Sequence, residues 1–124
     1  MSARKDAVAS YFEGFRTGDH ERILALLTDD VVWDLPGFRH LAGKEAFDGE
    51  IENPAFEGHP KLDVDRVVEE GDTVVAIGSG EARFAGGAPN NFVYCDVFTF
   101  RGDLIARVES FLVPLSQGEA AAGG

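Results

Sequence analysis

The strongest sign of chemistry is a run of alternating aromatic and charged residues on both sides of Gly102 and Asp103. A two-residue turn of this type joins neighbouring antiparallel strands and fixes which residues face one another. The predicted pairs on one side of the sheet are Phe100 with Ile105, Phe98 with Arg107, Asp96 with Glu109, and Tyr94 with Phe111. Since half of these residues are aromatic, we expect this side to face the helices, with charged groups forming a polar centre inside an apolar pocket.

Asp96 and Glu109 are then two carboxyl groups directly across from one another. Such groups do not ionise independently, so one of their pKa values rises. A carboxylic acid that keeps its proton can donate a hydrogen bond to a substrate oxygen. Arg107 acts in the opposite direction, because a nearby cation favours the ionised form. An ordinary buried network of Arg107 with both carboxylates explains the same residues equally well.

Two short helices precede the strands. Residues 3–17 carry apolar side chains at spacings of three and four, between a capping residue, Ser2, and a terminating residue, Gly18. Asp19 is suited to cap a second helix, whose apolar residues extend to Leu27. A third short helix is predicted over residues 43–51.

The strand pattern begins at residues 31–35 and dominates from residue 61 onward. Predicted strands cover residues 62–70, 73–84, 92–101 and 104–113, with turns at 71–72 and 102–103. Residues 36–42 and 53–60 are predicted to be loops. This order predicts an α+β fold in which three N-terminal helices pack on one side of an antiparallel sheet.

Composition limits the partners. The 124 residues include 22 acidic and 11 basic side chains, and this net charge of −11 disfavours nucleic acids and anionic membrane surfaces. The chain starts without the apolar stretch of a secretory signal and contains one cysteine, so a cytoplasmic protein without a disulfide is expected. One domain over residues 1–115 and a flexible tail over residues 116–124 are predicted.

The order helix, Gly-Asp, helix, Asp-Asp-Val-Val-Trp-Asp-Leu-Pro-Gly, and later Asp-Val-Phe-Thr-Phe-Arg-Gly-Asp-Leu-Ile-Ala-Arg-Val resembles the nuclear transport factor 2-like superfamily. The similarity is to its SnoaL-like and ketosteroid isomerase-like branch. It implies a curved sheet and three helices around a cone-shaped pocket, and a homodimer formed through the outer sheet face. Members differ in reaction and include isomerases, cyclases, dehydratases, epoxide hydrolases and proteins without catalysis.

The resemblance also implies site residues. Tyr11 matches the helix-one tyrosine and Asp96 the late-strand acid that stabilise an oxyanion in ketosteroid isomerases. The general base is expected from Asp34, Glu109 or His40, with Asp34 matching the isomerase base after a one-residue shift. Side chains expected to line the pocket are Phe15, Trp33, Tyr94, Phe98, Arg107 and Phe111.

Two functions are consistent with these residues. The first is a cofactor-independent enzyme that abstracts a proton next to a carbonyl group of a small apolar molecule, leading to isomerisation, cyclisation or dehydration. The second is a protein that binds an apolar molecule in the same pocket without chemistry. Neither a nucleotide-binding motif nor metal-ligand spacing is present in the sequence, so no cofactor and no metal are expected.

Overall fold

The computed structural model describes residues 2–52, 56–87 and 89–115. Three helices lie in the N-terminal part: α1 (Ala3–Thr17), α2 (His20–Leu24) and α3 (Lys44–Ile51). Six strands complete the fold: β1 (Leu27–Leu35), β2 (Arg39–Ala42), β3 (Phe56–Glu70), β4 (Thr73–Phe84), β5 (Pro89–Arg101) and β6 (Leu104–Leu115). The predicted α+β class is confirmed. The predicted flexible tail lies outside the described residues.

Local chemistry explains the helix boundaries. The Ser2 side chain accepts a hydrogen bond from the Lys5 amide and caps α1, and Gly18 ends α1 in the left-handed conformation with φ of 67°. Asp19 caps α2 through the Arg22 amide. The second helix is shorter than predicted, because Leu27 already begins β1.

All six strands form one open, curved sheet in the order β2-β1-β6-β5-β4-β3. The β1 and β6 strands are parallel, whereas the other neighbouring pairs are antiparallel. The predicted loop over residues 36–42 contains the short edge strand β2, and residues 56–60 of the other predicted loop belong to β3. Residues 53–55 lie outside the described part of the chain.

The pairing of β5 with β6 differs from the prediction by one residue. The turn holds Phe100 opposite Ile105 as expected, but the register then shifts, and Thr99 lies opposite Arg107. Ala106 is the extra residue of this β-bulge. Beyond the bulge Asp96 faces Ser110, so the predicted pairing of Asp96 with Glu109 is wrong. Every later residue of β6 therefore lies on the opposite side of the sheet from the one predicted.

The inner side of the sheet, covered by the helices, carries the hydrophobic core. Helix α1 packs against β3 and β4, and α3 packs against β1 and β2. The largest fully buried side chains include Tyr11, Phe47 and Phe98. No helix within the described part of the chain is long and apolar enough to cross a membrane.

Close approach of β3, β4 and β5 depends on Gly78 in β4. The Tyr94 hydroxyl passes over this glycine and donates a hydrogen bond to the Asp63 carbonyl oxygen at 2.9 Å. A Cβ atom at position 78 would overlap that carbonyl oxygen and crowd the hydroxyl. The glycine therefore allows an aromatic side chain and a neighbouring strand to pack where any other residue would separate them.

Gly78→Ala is expected to lower the free energy of unfolding by about 1–3 kcal/mol, because the added methyl group overpacks this contact. Urea denaturation followed by circular dichroism measures the effect. The matched control is Gly49→Ala in α3, where a Cβ meets no atom within 4 Å, and which should stabilise the helix by roughly 0.5–1 kcal/mol. Equal effects of both substitutions would contradict this role of Gly78.

We expect a second copy of the chain to cover the outer side of β5 and β6. Exposed apolar side chains cluster there, with Val93 39%, Phe111 44% and Val113 56% accessible. Sedimentation velocity at micromolar concentration should show a dimer, and Phe111→Lys should shift it to the monomer because a charge would be buried. Val68→Lys, at an exposed position on the edge strand β3, should leave the dimer intact. A monomeric parent chain would disprove the expectation.

Candidate functional site

An inner cavity of about 140 Å³ lies between α1 and the inner side of the sheet. Five of the side chains that line it carry polar atoms: Tyr11, Trp33, Tyr94, Asp96 and Ser110. The remaining lining residues are apolar: Phe12, Phe15, Leu35, Pro60, Leu62, Phe92 and Leu112. A polar ligand group that enters this cavity therefore meets few partners, all from α1, β1, β5 and β6.

Asp96 is the carboxyl group of this cavity. Its side chain is buried, with 8% relative accessibility, and its Oδ1 atom has no hydrogen-bond partner. Burial raises the pKa of Asp96 to about 7, and the neighbouring Ser110 hydroxyl opposes this rise. Buried polar atoms without partners are rare in proteins, so an unpaired carboxyl oxygen beside a cavity indicates a place for a ligand.

Tyr11 supplies the second polar group, from α1. Its ring packs against Phe98 and Phe15, with ring centroids 5.0 and 4.9 Å apart. Burial, and then the charge of Asp96, hold the pKa of Tyr11 well above its usual value. The phenol therefore keeps its proton, and it is suited to donate a hydrogen bond to a ligand but not to act as a base.

Ser110 and Trp33 form a hydrogen-bonded pair next to Asp96. The Trp33 indole Nε1 donates to Ser110 Oγ at 3.0 Å, and the indole ring stacks on Phe47 at 4.5 Å. The predicted pairing without a bulge, with Glu109 and Phe111 inside, would put Ser110 on the outer side of the sheet. The alternation of Arg107, Val108 and Glu109 was an available signal, because charged residues two apart favour the solvent side of a strand.

Two other predicted lining residues have structural roles. Phe98 is fully buried against Tyr11 and belongs to the core beside the cavity. Tyr94 lines the cavity with its ring, but its hydroxyl is engaged by the Asp63 carbonyl. Burial, and then the charge of Asp96, raise the pKa of Tyr94 as well. Of the two tyrosines, Tyr11 is therefore the one whose hydroxyl is available to a ligand.

A wider outer cavity of about 320 Å³ adjoins the inner one. The two share Phe15, Pro60, Phe92 and Leu112. The outer cavity also has polar lining residues: Glu50, Glu52, Arg83, Asn90 and Asn91. Together the cavities form a cone whose narrow end holds Asp96 and whose mouth carries these polar side chains among mainly apolar ones.

The three residues predicted to supply a general base lie on the other side of the sheet. Asp34 pairs in register with Glu109 in the parallel β1–β6 ladder, and both line a surface groove with His40 and Arg107. Arg107 Nη2 donates to Asp34 Oδ2 at 2.5 Å, and His40 Nδ1 donates to Asp34 Oδ1. The hydrogen bond from His40, and then the charge of Arg107, lower the pKa of Asp34.

The bulge explains these placements. It turns Arg107, Glu109 and Phe111 to the outer side, so the expectation that they face the pocket is wrong. Phe111 is 44% accessible there. Trp33 pairs with Val108 on the inner side, which leaves its neighbour Asp34 on the outer side. None of these charged groups contacts the inner cavity.

A separate histidine cluster joins the helices near the mouth. His20 donates to Asp48 and Glu52, and His59 contacts Glu52 at 3.2 Å. Hydrogen bonds to Asp48, and then to Glu52, raise the pKa of His20, whereas His20 and then His59 lower the pKa of Glu52. Across the described residues, no group of three or more His, Cys, Asp and Glu side chains is arranged to hold a metal ion.

Comparison with known proteins identifies the family. Residues 8–108 match the model of the SnoaL-like domain, so the chain belongs to the SnoaL-like domain family. The resemblance inferred from the sequence is thereby confirmed. Among curated proteins, none matches this chain.

Solved structures with the same fold differ in their described roles. A nuclear transport factor 2-like protein of unknown function from Burkholderia pseudomallei superposes with a TM-score of 0.82 at 22% identity, over 89% of this chain and 90% of that one. A candidate polyketide cyclase from Xanthomonas campestris gives 0.78 at 25% identity, over 98% of both chains. An epoxide hydrolase from M. tuberculosis gives 0.78 at 18% identity, over 98% of this chain and 87% of that one.

The stability of the protein should depend on pH through Asp96. Its pKa is about 7 in the folded chain against an ordinary value of 3.8, so between these pH values unfolding releases a proton. Stability therefore falls as the pH rises from about 4 to about 7 and stays lower above that. Asp96→Asn removes this dependence and should gain roughly 2–4 kcal/mol relative to the parent chain between pH 4 and pH 8.

Urea denaturation of both proteins at the two pH values measures that gain. Asp65→Asn, which replaces an exposed carboxylate on β3, serves as the control and should follow the parent chain. A constant difference between the parent chain and Asp96→Asn at both pH values would show that Asp96 has an ordinary pKa.

Proposed function

We propose that this protein is a cofactor-independent enzyme that abstracts a proton next to a carbonyl group of a small, mostly apolar molecule. The observation that carries the proposal is Asp96. A buried carboxyl group with a pKa of about 7 and an unpaired oxygen lines a cavity of otherwise mainly apolar side chains. A group with a pKa near the working pH is the most effective general acid and base, because it both accepts and returns a proton readily.

In this proposal the Asp96 carboxylate takes a proton from the carbon next to the carbonyl. The electron pair of the broken C–H bond forms the enolate double bond, and negative charge develops on the carbonyl oxygen. Tyr11, which keeps its proton because its pKa is raised, donates a hydrogen bond to that oxygen. Protonated Asp96 then returns the proton to another carbon in an isomerisation, or to the alkoxide formed when the enolate carbon attacks a second carbonyl in a cyclisation.

Asp96 replaces the bases expected from the sequence. Asp34, Glu109 and His40 line the outer groove, where the sheet separates them from the inner cavity. Of the residues that line the inner cavity, Asp96 is the one carboxyl group among those described. A single carboxyl group therefore serves as base and then as acid, and Tyr11 acts as the oxyanion donor.

Cavity size suggests the shape of the substrate. The inner cavity of about 140 Å³ is similar to cavities that hold one benzene molecule, which measure about 150 Å³. The outer cavity of about 320 Å³ provides room for a longer body with polar groups at the mouth. We infer a cyclic or aromatic carbonyl compound with one ring in the inner cavity. The SnoaL-like family and the similarity to a candidate polyketide cyclase support this class.

Exchange of hydrogen for deuterium tests proton abstraction without knowledge of the natural substrate. Small bicyclic ketones such as 1-indanone and 2-tetralone are incubated with the protein in D₂O, and proton NMR follows the loss of the signal next to the carbonyl. The parent chain should accelerate the exchange. Asp96→Asn should lower the acceleration by about 100-fold or more, because the base is lost. Tyr11→Phe should lower it by about 100-fold through loss of the oxyanion donor.

Glu109→Gln is the matched control, since it removes a carboxylate from the neighbouring strand on the outer side of the sheet. It should exchange at the rate of the parent chain. Ketone that binds but is recovered without deuterium would instead identify a binding protein. Equal rates for the parent chain and Asp96→Asn would exclude Asp96 as the base.

A further inference from the structure

A chain of three side chains crosses from β1 through β6 to β5 at the narrow end of the cone. The Trp33 indole Nε1 donates to Ser110 Oγ at 3.0 Å, and Ser110 lies opposite Asp96 in the antiparallel ladder. All three side chains are buried. Water has little access to them, so these side chains form their hydrogen bonds with one another.

The direction of these hydrogen bonds follows from the chemistry of the groups. An indole N–H only donates, so the Ser110 oxygen accepts in its contact with Trp33. The Ser110 hydroxyl proton is then left for a second partner, and the acceptor that faces it is the Asp96 carboxyl. In agreement, Ser110 favours the charged form of Asp96 and lowers the pKa that burial raises.

We propose that Trp33 and Ser110 are positioning residues that orient Asp96 for proton transfer. Trp33 holds Ser110 opposite Asp96 as a donor to its carboxyl group, in the wall of the inner cavity. This inference rests on the proposed role of Asp96 as the base. It adds that the orientation of the carboxyl group is set before a ligand arrives.

A purely structural role for Trp33 is the competing explanation. Its indole ring stacks on Phe47 at 4.5 Å and contacts the edge of Phe15 at 5.8 Å, so it also supports the core. Removing the ring would mix both effects. Trp33→Phe keeps an aromatic ring and deletes the N–H donor, and therefore separates the hydrogen bond from most of the packing.

The test measures the pKa of Asp96 directly, by NMR titration of its carboxyl carbon in protein labelled at aspartate. Ser110→Ala should raise this pKa by about one unit, since a hydrogen bond to the carboxylate is lost. Ser110→Thr retains the hydroxyl and should stay close to the parent value. Trp33→Phe should raise the pKa by a smaller amount, roughly a few tenths of a unit, because the Ser110 hydroxyl loses its polarising donor.

Thr28→Val is the matched control, because it removes a buried hydroxyl at the start of β1. It should leave the pKa of Asp96 unchanged. An unchanged pKa in Ser110→Ala or in Trp33→Phe would overturn the proposal, and so would a raised pKa in Ser110→Thr as large as that in Ser110→Ala.

The pH profile of the deuterium exchange provides the functional readout. The carboxylate is the active form, so a raised pKa moves the acidic limb of the profile to higher pH. Ser110→Ala should therefore be about 10-fold slower than the parent chain on that limb, below the pKa of Asp96 in both proteins, and recover at about pH 9. A rate lowered equally at every pH would indicate structural damage and contradict a positioning role.

The two readouts distinguish failure of this inference from failure of the proposed function. A parent chain without exchange activity would end the proposed function, while the carbon titration still decides whether Trp33 and Ser110 control Asp96. Exchange that depends on Asp96, together with a pKa insensitive to Ser110 and Trp33, would end the inference alone.

Discussion

The bulge at Ala106 determines which residues of β6 enter the cone and which face outward. Successive side chains of a strand point to alternate sides of the sheet, so one additional residue moves every side chain after it to the opposite side. Here it places Val108 and Ser110 inside, and Arg107 and Glu109 outside. The parallel pairing of β6 with β1 extends this result to the neighbouring strand, where Trp33 lies inside and Asp34 outside. The polarity of the cavity follows from this arrangement.

The raised pKa of Asp96 is explained by the separation of the charged residues from its carboxyl group. If Arg107 lay beside Asp96, its charge would stabilise the carboxylate and hold the pKa low. Instead Arg107 pairs with Asp34 on the outer side, where the hydrogen bond from His40 and then the charge of Arg107 lower the pKa of that carboxyl. Asp96 has mainly aromatic surroundings and one hydroxyl, so desolvation dominates and raises its pKa to about 7. The surroundings thus raise the pKa of Asp96 on the inner side of the sheet and lower the pKa of Asp34 on the outer side.

Aromatic packing gives the narrow end of the cone its rigidity. Tyr11, Phe15, Trp33 and Phe47 form a continuous set of ring contacts from α1 to β1 and α3. This set positions the phenol of Tyr11 and the indole of Trp33 in the wall of the cavity. Solved structures with the same fold are described as a candidate polyketide cyclase and an epoxide hydrolase, so the fold by itself does not determine the reaction.

Much of the architecture was accessible from the amino-acid sequence because it depends on local chemistry. Local signals identified α1, β4 and the α+β class: the cap at Ser2, the left-handed Gly18, the two-residue turns and the alternation along β4. Tyr11 and Asp96 were also placed on inward faces. The edge strand β2 was missed because its four residues lie between Pro36-Gly37 and Gly43, and the start of β3 because it contains Gly58 and Pro60, residues typical of loops. The partners of Asp96 were decided only in the tertiary structure. A turn sets the register of the residue pairs next to it. Whether a bulge follows depends on which residues of the strand are more stable when buried against the helices. That stability is a property of the assembled sheet and not of the turn.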